Sequence, residues 1–184
     1  MLFTRRSAVV VIAMFLACGV TLRLMGRIGW CKYGFAIYSP AWSHCTSQNI
    51  LDPYTLSHVL HGVIFFWGLA LLAPQIALAW RLVIALGLEI GREILENTPL
   101  VIDRYRQATA SLDYSGDSVL NSLSDVTAAM LGFIFASKFG WRSAFAVFVI
   151  FELWALAIAR DNLTLNVLML FWPIDAIKEW QMPS

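Results

Sequence analysis

Apolar residues in this sequence come in long blocks rather than in alternation. The first block runs from Ser7 to about Leu24 and is entered through Arg5 and Arg6. A second runs from about Thr55 to Ala73, and Pro74 marks the turn after it. The third extends from about Ile76 to Asn97 and stops before Pro99; the fourth covers Ser118 to Ser137 and the fifth Trp141 to Arg160. A bilayer core about 30 Å thick takes about 20 residues of helix to cross, so each block has the length of one crossing. Inside lipid the backbone must bond within its own segment, which makes each crossing helical. The short period-two runs of barrel strands are not found. A sixth apolar run, Leu163 to Trp172, stops at Pro173 and is too short to cross alone. It reads as a re-entrant or interfacial segment, with a tilted sixth crossing as the alternative. The pattern predicts an all-α, polytopic transmembrane helix bundle that forms a single integral membrane domain over 1–184.

Composition narrows the function classes. Hydrophobic residues make up 59% of the chain and charged residues 14%, the latter about half the globular norm of about 25%. That excludes a disordered chain and an ordinary soluble domain. Thirteen basic residues stand against twelve acidic ones, so there is no polybasic surface and no nucleic-acid partner. The expected partner is the lipid bilayer. With no repeat in a short chain, a transport role would need a homo-oligomer.

Lys and Arg favour the cytoplasmic side of a membrane. Arg5 and Arg6 place the N-terminus on the cytoplasmic side, with Arg81, Lys138 and Arg142 on the same side; Arg23, Arg27, Lys32, Arg104 and Arg106 fall outside. A cleaved signal peptide is the rival reading of the first block, and a retained anchor helix is the simpler one. Cys31 and Cys45 share the outer 25–54 loop, where an oxidising compartment allows a disulfide. Cys18 reads as a buried apolar residue.

The polar residues within the blocks carry the functional signal, because an ionisable group at the centre of a membrane helix is costly. Glu89, Arg92, Glu93 and Glu96 follow i, i+3, i+4, i+7 spacing and share one helix face. Asp117, Asn121 and Asp125 are spaced by four, and Gly132 continues that face and allows a close helix neighbour. His58 and His61 open the second block, and Arg160 closes the fifth. In an up-and-down bundle these groups gather toward one end. Glu89, Asp125 and Glu152 lie about 12 Å further in at 1.5 Å per residue. The expectation is a shared acidic cavity opening to the outer face. Glu89, Glu93, Asp117, Asn121 and Asp125 are its candidate catalytic residues. His58, His61, Arg92, Arg104, Arg106 and Arg160 would hold a polar or phosphorylated envelope lipid headgroup.

Desolvated carboxyls serve as general acids or bases, and arginine binds phosphate bidentately. No Gly-x-Ser-x-Gly nucleophile motif is present. Metal use stays undetermined: His58, His61, Glu93, Asp117 and Asp125 offer mixed donors, but without His-Glu-x-x-His or Glu-x-x-His spacing. A proton-coupled transporter component and a non-catalytic assembly protein remain as alternatives.

Five stretches carry a resemblance: 42–49 (WSHCTSQN), 57–62 (SHVLHG), 89–93 (EIGRE), 96–99 (ENTP) and 113–122 (DYSGDSVLNS). Together they resemble the UPF0314 (DUF2585) family of alphaproteobacterial membrane proteins over nearly the whole chain. That resemblance implies a multi-pass cell-membrane protein and supplies no catalytic assignments. A local likeness to VanZ-like membrane proteins rests on Glu93 and Glu96, then a loop arginine such as Arg104 or Arg106, then Asp117, Asn121 and Gly132. Glu96 stands where that pattern has Gln.

Overall fold

The computed structural model describes residues 2–111 and 113–182, and every named element among them is a helix. In chain order these are α1 (Arg5–Leu24), α2 (Thr55–Leu72), α3 (Leu78–Glu96), α4 (Pro99–Ala108), α5 (Val119–Ala159), α6 (Leu163–Phe171) and α7 (Asp175–Gln181). Three of them, α1, α2 and α5, are long and apolar enough to cross a membrane. This is fewer than the five or six crossings expected from the sequence, for three physical reasons.

First, α5 contains two of the expected blocks. Its 41 residues would span about 62 Å as one straight helix, twice a bilayer core. It is broken at Gly140, whose φ of 73° and ψ of 172° are non-helical and suit a residue without Cβ. Beyond the break the second arm turns back. Val63, Ala136 and Ala144 share one buried cluster. The helix after the second arm bonds to the helix before the first: Arg104 Nε donates to the Leu170 carbonyl at 2.8 Å and Tyr105 Oη to Asn166 Oδ1 at 3.0 Å. The two arms, 119–139 and 141–159, therefore form a hairpin.

Second, α3 is long enough but carries Arg81, Glu89, Arg92, Glu93 and Glu96 within its length. Its acidic side is buried, while Trp80, Ile84, Leu88 and Leu95 are exposed. Third, α6 has only nine residues. The 98–117 segment also holds a helix that its polarity does not announce: Pro99, read as a stop, sits at the first turn of α4, where its missing N–H has no partner to lose.

The close pairing of α2 with the first arm of α5 organises the interior. The two helices run parallel, and small residues line their crossing. A Cβ on Gly62 would collide with the Ala129 carbonyl, and one on Gly132 with the Val59 carbonyl. Phe66 meets Phe133 edge to face below this crossing, with ring centroids 5.3 Å apart. One turn above it, His58 and Asp125 are brought together.

The 25–54 loop sits across the start of α5 and satisfies its free amides, which have no partner inside the helix. Val119 N–H donates to Ile28 O at 2.9 Å and Leu120 N–H to Gly29 O at 3.1 Å. Ser118 is the N-cap: its Oγ accepts from Asn121 N–H at 3.1 Å and donates to Gln48 O at 2.9 Å. The loop is closed by a Cys31–Cys45 disulfide, with the Cα atoms 5.4 Å apart. Asp52 fastens its other end, accepting from Ser47, Tyr54 and Thr55 N–H at 2.9, 2.8 and 3.1 Å. Burial raises the Asp52 carboxyl above its ordinary range in spite of these donors.

Candidate functional site

The polar residues of α2, α3 and the first arm of α5 meet in one buried cluster. His58 Nδ1 lies 2.8 Å from Glu89 Oε1 and 3.5 Å from Glu93 Oε1, and its Nε2 lies 3.6 Å from Asp125 Oδ2. His61 Nδ1 approaches the Glu89 carboxylate at 3.2 Å. Arg92 reaches Glu89 at 3.1 Å and also pairs with Glu93 and Glu96. The helical spacing read from the sequence is the cause: Glu89, Arg92, Glu93 and Glu96 share a face, and that face turns toward α2. Glu89 and Glu93 are fully buried. The Arg92 side chain keeps 27% of its surface exposed and Glu96 15%, so these two form the accessible edge of the cluster.

A second polar group lies above the first. Asn97 Oδ1 accepts from Asp117 N–H at 2.8 Å, and its Nδ2 donates to Asp117 Oδ2 at 3.2 Å and to Glu93 O at 3.0 Å. Tyr114 Oη donates to Asp117 Oδ1 at 3.0 Å. The two groups are linked through the Glu93 backbone carbonyl; no side-chain hydrogen bond among the described residues joins Asp117 to the His58 group. Asn97 and Tyr114 are the contributors that the sequence pattern underrated. Asn97 is the last of the polar strip along α3, and that strip was the available signal.

Other expected members lie elsewhere. Asn121 Nδ2 donates to Asn49 O at 3.0 Å and fastens the outer loop. Arg104 is committed to the Leu170 carbonyl. Arg106 Nε donates to Tyr114 O at 2.6 Å, and Arg160 Nη1 reaches the carbonyls of Trp180 and Met182 at 3.2 and 3.0 Å. Each of these arginines ends on a backbone carbonyl rather than in the cluster. Glu152, expected at the same depth as Glu89 and Asp125, instead caps α6, accepting from Leu163 and Thr164 N–H at 2.9 and 3.1 Å. A carboxylate there meets the positive end of the helix dipole. The cluster is packed side chain on side chain. Shallow surface depressions lie away from it, at Ile150, Leu153, Trp154, Ala157 and Ile158, and at Arg23, Gly29 and Trp30.

Among the described residues, Glu93 Oε2 and Asp125 Oδ1 are buried without a hydrogen-bond donor. Such atoms carry the desolvation cost without compensation. Asp117, outside the helices, is pushed up to about 8 by burial, with Glu96 adding repulsion. In the unfolded chain the same carboxyl titrates near 3.9. Between about pH 4 and 8 the folded protein thus holds a proton that the unfolded chain releases. Stability is greatest below this window and falls as pH rises through it. Thermal melts of the detergent-solubilised protein check this: the melting temperature declines across that window, and Asp117→Asn flattens the decline.

The profile of the family described as "Protein of unknown function (DUF2585)" matches residues 22–183. A UPF0314 protein of Brucella anthropi is 42% identical over 95% of this chain and 90% of the relative. Those of Paracoccus denitrificans and Sphingopyxis alaskensis are 43% and 44% identical, covering 98% and 97% of this chain and 95% and 96% of theirs. The chain belongs to the UPF0314 (DUF2585) family. No solved structure matches it. In this UPF0314 protein the family match takes in both polar groups and the disulfide-closed loop.

Proposed function

We propose that this UPF0314 protein is a multi-pass protein of the bacterial inner membrane whose buried His–Glu–Asp cluster binds or processes a polar or phosphorylated group of an envelope lipid. Its crossings are α1, α2, α3 and the two arms of α5, with α6 at the outer interface and the N-terminus cytoplasmic. Exposed apolar residues support the membrane assignment: Val9, Ile12, Leu16, Val20 and Leu24 form a stripe down α1, and Phe145, Ile150, Leu153 and Trp154 face outward on the second arm. Such contiguous apolar surface is rare on soluble proteins. The disulfide supports an oxidising location for the 25–54 loop, hence the orientation.

The observation that carries the functional reading is the unpaired oxygens of Glu93 and Asp125 beside the His58 imidazole. Acceptors and a base held in a buried site from three separate helices are the parts of acid–base catalysis. The substrate group enters past Arg92 and Glu96, the accessible edge of the cluster.

The test uses a deletion strain carrying wild type, Glu93→Gln or Asp117→Asn, with envelope lipids profiled by mass spectrometry. The expected result is one lipid class altered in the deletion strain, restored by wild type, and left altered by Glu93→Gln although that variant accumulates normally in the membrane. Unchanged lipids in the deletion strain, together with pH-dependent flux by the protein in liposomes, would replace this reading with proton-coupled transport. Failure of both variants to accumulate would leave the polar residues as interhelical glue.

A further inference from the structure

We propose that His58, Glu93 and Asp125 bind a divalent first-row transition-metal cation inside the bundle, with Glu89 positioning the histidine. One donor atom from each of the three residues lies within 4.8 Å of the others. An ion with ligands about 2.0–2.2 Å away separates its donors by about 3–4.4 Å, so a small contraction closes the set. The three residues come from α2, α3 and the first arm of α5, and all are buried. Two of them bring an oxygen with no hydrogen-bond donor, Glu93 Oε2 and Asp125 Oδ1.

Charge points the same way. Glu89, Glu93 and Glu96 share a single guanidinium, that of Arg92, and Asp125 faces only the His58 imidazole among the described residues. Buried charges are paired or coordinate metals, and a dication among Glu93, Asp125 and His58 neutralises the two carboxylates that carry unpaired oxygens and leaves Arg92 to Glu89 and Glu96. The histidine is also arranged for ligation. Its Nδ1 faces Glu89 Oε1 at 2.8 Å, and its Nε2 turns to Asp125. Arg92 Nη2 stands 2.9 Å from the same Nδ1, and the two neighbours ask for opposite tautomers. Donation from Nδ1 to Glu89 leaves Nε2 with a free lone pair, the arrangement in which a carboxylate orients a metal-binding histidine. One nitrogen and two oxygens suit zinc, manganese or ferrous iron better than calcium or magnesium. A second grouping, His58, His61 and Glu89, meets the same distance limit. That grouping supplies one carboxylate and includes the less buried His61, whereas the first supplies two carboxylates and all three of its residues are buried.

The proposal stands independently of the lipid reading, since a cation bound without any lipid substrate leaves it intact. The test titrates EDTA-stripped full-length protein in detergent with ZnCl2 and MnCl2. Bound metal is measured by mass spectrometry after desalting, and melting temperature by scanning fluorimetry. One of the two ions is expected to bind at about one equivalent per chain and to raise the melting temperature, because a ligand of the folded state stabilises it. Asp125→Asn, close to isosteric, is expected to weaken binding at least about tenfold, whereas His61→Gln retains it. Wild-type protein that neither holds either ion nor shifts its melting temperature overturns the proposal. Loss of binding in His61→Gln with retention in Asp125→Asn overturns it in favour of the other grouping. If Asp125→Asn fails to fold, the wild-type titration and His61→Gln decide.

Discussion

Replacing Arg92 with Met is expected to destabilise the protein by about 3–5 kcal/mol, the loss that follows when one side of a buried ion pair is removed. Arg92 is the shared partner of Glu89, Glu93 and Glu96, and Glu89 and Glu93 have no surface through which water could replace it. Methionine keeps much of the volume and removes the charge, so the loss reports electrostatics rather than a cavity. The measurement is the melting temperature in detergent, with membrane abundance as the readout if the variant does not survive extraction. The double variant Arg92→Met, Glu89→Gln is expected to recover part of the loss, because one uncompensated carboxylate is gone. A cycle of the two single variants and the double variant isolates that coupling. If the double variant is no better than Arg92→Met alone, the ion pairs do not hold α3 in place.

Gly132→Ala is the second large effect. The new methyl group would overlap the Val59 carbonyl, and both α2 and α5 are continuous backbone at that point, so relief requires the two helices to move apart. Overpacking of this kind costs about 1–3 kcal/mol and sometimes more. Gly62→Ala, against the Ala129 carbonyl, is expected to act alike. The two substitutions together should cost less than their sum, since one separation relieves both. Gly68→Ala and Gly91→Ala are the controls: nothing lies within 4 Å of a Cβ at either position, and alanine is the better helix former by about 1 kcal/mol. Equal melting temperatures for Gly132→Ala and Gly91→Ala would refute the close crossing. The substitution also reaches the site, because His58 and Asp125 lie one turn from the crossing and face each other only while the helices stay close.

The same crossing shows where sequence reading reached its limit. Long apolar blocks, broken at Pro74, Pro99 and Gly140, determine an all-α chain and mark the helix ends to within a few residues. Lipid solvation and backbone hydrogen bonding are local constraints, legible from one segment at a time. The i, i+3, i+4, i+7 strip on α3 likewise determines that Glu89, Arg92, Glu93 and Glu96 share a face, since helical periodicity alone fixes their relative directions. Gly132 was legible as a point of close approach because a helix neighbour can come near only where a side chain is missing.

Which faces meet is a different matter. Glu89, Asp125 and Glu152 look equivalent in depth and chemistry, yet tertiary structure sends Glu152 to the N-terminus of α6 and brings the other two to His58. Arg104, Arg106 and Arg160 look like anion ligands until the fold supplies backbone carbonyls for them to cap. Asn97 is legible as the end of the polar strip on α3, but only the fold brings Asp117 against it from the far side of α4. The crossing count diverged for a related reason: α3 carries five charges along its length, and packing turns its acidic side inward and leaves an apolar outer face. Periodicity orients side chains about their own helix axis, but rotation of one helix against another is set by interlocking surfaces, here Gly62 on Ala129 and Gly132 on Val59. That relation joins residues about seventy positions apart and exists only once both helices are folded and packed.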